Sequence, residues 1–138
     1  MATFNKFNCF VEDIAEKKHN LGSDTLTVAL CAAANAPVAT NTVLANLTQI
    51  AYTNLSARAL TISSSSQSSG TYKLVIADLV LTASGGSVAP FRYVVIYNDT
   101  ATNDELICWF DYGSDLTLAD TETLTLDFSA ANGLLQIV

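Results

Sequence analysis

Charge is what this chain has least of. Only 14% of its 138 residues are charged, and they sum to a net charge of −7. Nucleic-acid binding needs clustered Lys or Arg against phosphates, and the six basic residues here are scattered. The same shortage disfavours an anionic membrane surface. Thr, Ser or Asn interrupts every apolar run before it reaches the length of a membrane span. The N-terminal residues lack a basic region followed by an apolar stretch, so they are not read as a signal peptide.

Histidine is nearly absent. His19 stands alone, which removes a two-His metal site within one chain and leaves one poor candidate for a histidine base. After two lysines at the end of an expected helix, it is read as a cation placed to suit the helix dipole. The three cysteines, Cys9, Cys31 and Cys108, are odd in number, lack paired spacing and sit among apolar residues. Buried free thiols are the expected outcome. There is no Ser–His–Asp order, phosphate-cradling Gly loop or Cys-x-x-Cys, so no enzyme and no cofactor is expected.

Against these shortages stands a 50% hydrophobic content, enough for a real core in one domain. Phe4, Phe7, Val11 and Ile14 recur at helical spacing and predict a short amphipathic helix, or an arm, within residues 1–22. From Thr25 the pattern alternates. Thr25–Cys31 reads as a half-buried strand, and Ala59–Ser66 as another. Tyr72–Thr82 reads as a long strand whose inward parity slips, which predicts a bulge near Asp78. Val43–Tyr52 fits neither period and is taken as an irregular connection. Phe91–Tyr97 and Leu106–Tyr112 form a central hairpin around the polar linker Asn98–Glu105, and Thr123–Phe128 alternates again. The expectation is mainly all-β: a single β-sandwich or jelly-roll-like domain over residues 23–138.

The candidate sites are weak as chemistry. Asn98–Glu105 and Asp111–Asp115 carry oxygen ligands at close spacing, yet lack the offsets of a calcium loop, and Asn and Asp are ordinary turn residues. Asp111, Asp115, Asp120 and Glu122 could suggest a glycosidase pair, but acids in loops are expected in so acidic a chain. Trp109 and Tyr112, with Tyr93 and Tyr97, could offer a sugar-stacking platform, although large aromatics more often anchor cores or interfaces.

A series of local segments resembles a family. His19–Leu26, Ala36–Val38, Ser84–Ser87, Pro90–Tyr93, Tyr97–Thr100, Leu106–Ile107, Trp109–Gly113, Leu116–Leu118 and Asp127–Phe128 together resemble small tailed-bacteriophage head decoration, or capsid cement, proteins. Ala89 stands where a Gly is expected, and the Asn54–Ala59 region lacks a Gly-rich turn. The resemblance implies a structural virion protein on the capsid outer surface, made in the host cytoplasm and bound to the major capsid protein as a homotrimer. Phe4, Phe7, Phe10, Trp109 and Tyr112 are the anchors it suggests for docking or trimer contact. A tail, neck or fibre-associated β-domain and a carbohydrate-binding β-sandwich are the alternatives.

Overall fold

A computed structural model describes residues 2–138. Its centre is an antiparallel four-stranded sheet built from β1 (Thr3–Lys6), β2 (Leu26–Cys31), β6 (Phe91–Asn98) and β7 (Leu106–Leu116), in the order β1-β7-β6-β2. The hairpin that the sequence predicts is the middle pair, with Val95 opposite Trp109 and Ile96 opposite Cys108. Two smaller antiparallel sheets accompany it. One contains β3 (Ile62–Ser68), β4 (Thr71–Ile76) and β9 (Leu135–Ile137), and the other β5 (Leu79–Thr82) and β8 (Thr123–Leu126). The architecture is all-β and sandwich-like, with α1 (Cys9–Ala15) its one α-helix among the described residues.

Strand β2 departs from its expected half-burial: all six of its residues are buried. The reason is that both faces of the central sheet are covered. Leu26, Val28 and Leu30 join Phe91, Ile96, Leu74 and Leu81 in the larger core, between the central sheet and the two small ones. Ala29 and Cys31 join Tyr93, Val95, Tyr97 and Trp109 in a second core on the opposite face. Ala39, Leu44 and Leu47, from the irregular connection after β2, close that face. The same connection fills the hydrogen-bonding edge of β2. Leu60 N–H donates to Leu26 C=O at 2.8 Å, Val28 N–H to Arg58 C=O at 3.0 Å, and Leu30 N–H to the Tyr52 hydroxyl at 3.0 Å. An edge strand covered in this way cannot template unwanted pairing.

The N-terminal residues differ from the single helix or arm expected of residues 1–22. Residues 3–6 pair with β7, Phe4 lying opposite Phe110 and Lys6 opposite Cys108. The helix begins only at Cys9, and it buries Phe10 and Asp13, whereas Val11 is exposed. Helical spacing of the aromatics misled because Phe4 and Phe7 serve different structures: one side chain lies on a strand, the other plugs the second core. Thr3–Lys6 and Cys9–Ala15 are thus packed into the sandwich through β1 and Phe10. Tyr72–Thr82 differs as well. The parity slip at Asp78 is a change of sheet, from β4 to β5, and the Asp78 carboxylate accepts a hydrogen bond from Phe128 N–H at 2.8 Å there. At the far end Gly133 (φ +73°) lies so close to β4 that a Cβ would collide with the Leu74 carbonyl, which ties β9 to glycine at this turn.

The two N-terminal phenylalanines separate core from surface. Phe7 is fully buried and stacks obliquely on Trp109 at 4.5 Å, whereas Phe4 is 44% exposed. Phe7→Ala is expected to cost about 3–5 kcal/mol in urea unfolding. Phe4→Ala should cost less than about half of that. Equal losses would show that residues 3–7 do not pack as described.

Candidate functional site

The most accessible aromatic surface lies where β7 leaves its regular register. Tyr93 pairs with Asp111 and Phe91 with Leu116, so Arg92 alone faces the four residues Tyr112–Asp115. The surplus forms a projecting bulge, and Gly113 (φ +95°) makes its turn. Arg92 braces the base. Its guanidinium donates to both Asp111 carboxylate oxygens at 2.7 and 2.9 Å and lies 5.3 Å from the Tyr93 ring centroid. Asp111 also accepts from Gly113 N–H at 2.8 Å. Arg92 and the Gly113 amide together hold the Asp111 carboxyl below its ordinary range.

Tyr112, 50% exposed, projects from this bulge beside a cleft of about 180 Å³. Phe110, Phe128, Leu116 and Leu124 line the cleft. Phe110 packs edge-on against Phe4 at 5.5 Å and against Phe128 at 6.3 Å. A firm bulge carrying a half-exposed tyrosine beside an apolar cleft is physically suited to anchoring a partner.

Of the five anchors expected from sequence, only Phe4 and Tyr112 lie on this surface. Phe7 and Phe10 are core residues, corrected from docking to packing: Phe7 fills the second core and Phe10 the first. Trp109 is corrected likewise, because the second core leaves only 9% of it exposed. That burial also removes it from a sugar-stacking platform. The cleft residues Phe110, Phe128, Leu116 and Leu124 escaped the sequence reading. Leu124 and Phe128 belong to the alternating segment Thr123–Phe128 and Leu116 to a connection, and no local pattern signals that they meet Phe110 across a cleft.

A second, polar constellation lies at the opposite end of the β6–β7 hairpin. Asn98 sits at its centre, fully buried. Its amide nitrogen donates to Asp24 Oδ2 at 2.7 Å and lies 3.0 Å from His19 Nδ1, while its carbonyl accepts from Thr100 and Ala101 N–H at 3.0 and 3.2 Å. His19 stacks on Phe10 with ring centroids 5.6 Å apart. It is buried, and its pKa is lowered chiefly by that burial, which corrects the helix-end cation expected from sequence. The Asn98–Glu105 loop uses its oxygens internally. Asp99 accepts from the Thr27 hydroxyl at 3.1 Å and Glu105 from Asn103 N–H at 3.2 Å. Among the described residues, no three His, Cys, Asp or Glu side chains gather as a metal site would require.

No protein-family model, curated protein or solved structure matches this chain. No helix among those described is long and apolar enough to cross a membrane.

The thiols lie against the core rather than in a reactive setting. Burial pushes Cys31 up to about 11, and burial with the nearby Asp13 carboxylate pushes Cys9 up to about 12. Cys108, wholly enclosed, is raised further by desolvation. A thiol shifted two units above its ordinary value holds about a hundredfold less thiolate at a given pH. All three should therefore react with a thiol-specific reagent at pH 8 at least ~100-fold more slowly in the native protein than in urea. Labelling of any one at the unfolded rate would contradict this placement.

Proposed function

We propose that this chain is a structural virion protein that decorates a bacteriophage capsid and stabilises it by docking onto the major capsid protein, as a homotrimer on the outer surface. The observation that carries the reading is the Tyr112 bulge, braced by Arg92 and Asp111 beside the Phe110–Phe128 cleft. An assembly protein has to present such a surface already formed, because ordering it on binding costs affinity. Phe4 extends the apolar surface at the edge strand. The low charge of the chain lets that surface be buried without stripping many ions of water. The family resemblance of the segments from His19 to Phe128 supplies the capsid as the partner.

A cement protein acts by adding buried area at junctions between capsid subunits, so its effect is mechanical and summed over many copies. Three copies around a closed axis would each present the same patch, multiplying a modest single contact. The carbohydrate-binding alternative loses its main support with the burial of Trp109. The tail or neck alternative would use the same patch and differs in location.

The test uses capsids assembled without this protein. Adding it back should raise the temperature at which they burst, and a reconstruction should place it on the head surface. Tyr112→Ala should weaken capsid binding about tenfold or more while leaving the protein's own melting temperature within a few degrees. Capsids that neither bind the protein nor gain heat resistance would refute the cement reading. Density confined to the tail or neck would replace it with the alternative.

A further inference from the structure

The orientation of Asn98 fixes the protonation of His19. Turning the Asn98 amide over would aim its carbonyl at the Asp24 carboxylate, 2.7 Å away, and its NH₂ group at the Thr100 and Ala101 amides. Three hydrogen bonds thus hold the NH₂ toward His19, and Nδ1 of the imidazole must accept. The neutral ring therefore carries its hydrogen on Nε2, which has no hydrogen-bond partner and lies 3.9 Å from Asp13 Oδ2. Protonation would add a hydrogen at Nδ1, directly against the Asn98 N–H. The two donors cannot share that contact.

This contact joins two stretches of chain. On one side is the Lys18–Asp24 turn after α1, where Asn20 N–H also donates to Asp24 at 2.7 Å. On the other is the loop between β6 and β7, where the Thr100 hydroxyl accepts from Thr25 N–H at 2.9 Å. Both stretches line an open cavity of about 720 Å³, together with Ser65, Tyr72 and Ile137. We propose that His19 and Asn98 form a proton-operated latch: neutral His19 holds the Asn98–Glu105 loop to the Lys18–Asp24 turn, and protonated His19 releases it.

The charged groups around the ring pull in both directions. From α1, Asp13 favours the imidazolium, as do Asp24 before β2 and Glu105 at the start of β7. Lys18 opposes it, and burial among Phe10 and the sheet opposes it most. With the folded pKa below the ordinary 6.5, the latch is fully closed above about pH 6.5 and weakens as the pH falls through the interval beneath it. Ordinary carboxylates titrate lower, which leaves pH 5–7 to the histidine.

Because the chain has one histidine, ¹⁵N-histidine labelling reports on this ring alone. The wild-type protein should show the Nε2–H tautomer at pH 7.5 and a titration midpoint below 6.5. Hydrogen exchange at Thr25, Thr100 and Ala101, corrected for intrinsic rates, should rise up to ~tenfold per pH unit across that window. Exchange at Val95 in β6 should not change. His19→Gln should lose the pH dependence of the loop between pH 7.5 and 5. An Nδ1–H tautomer, a midpoint at or above 6.5, or a titration that leaves the loop amides unmoved would each overturn the latch. The wild-type titration decides the matter even if His19→Gln fails to fold.

Discussion

The fold depends on burying β6 on both faces. Phe91–Asn98 has one partly exposed residue, Arg92, and that side chain is held by Asp111. A strand flanked by two others and apolar on alternate sides has no face to give to water, so the chain must supply two covers. The small sheets supply one. The other comes from Phe7, Trp109 and the irregular connection after β2, which would otherwise look like a spare loop. That connection also occupies the open edge of β2 through Arg58, Leu60 and Tyr52.

Coverage ends at the bulge in β7. There β7 and the β8 segment meet across a cleft, and Phe110 and Leu116 on one side and Leu124 and Phe128 on the other line it, each only partly buried. The surplus residues of the bulge lift Tyr112 outward, while the Arg92–Asp111 pair keeps them from moving freely. The strongest candidate for a partner-binding surface is thus a by-product of sheet geometry, stiffened by one ion pair. At the other end of the same hairpin, a buried amide sets the protonation state of the single histidine. The two ends present different chemistries, one apolar and firm, the other polar and responsive to acid.

Much of the fold was legible in the sequence because alternation is a local property. The hairpin from Phe91 to Tyr112 and the strand near Thr123–Leu126 follow directly from it. Thr27 and Ala29 show where the pattern fails: both are buried, but neither is large enough to announce a second core. Residues 4–14 failed differently, since phenylalanines at helical spacing were shared between a strand, a core plug and a helix. Of the candidate site, Tyr112 and Phe4 were visible as residue types. The Arg92–Asp111 brace and the Asn98–His19 contact were not, because they join positions 19 and 79 residues apart, and no local spacing encodes such meetings.

The central claim is that the chain docks through the Tyr112 bulge and its cleft. Oxidative footprinting of the protein, free and bound to capsids, reads this residue by residue. The account predicts that Phe4, Tyr112 and Phe128 become protected on binding, while Val11 and Val38, exposed elsewhere, react as before. Protection of Val38 with Tyr112 left reactive would contradict it.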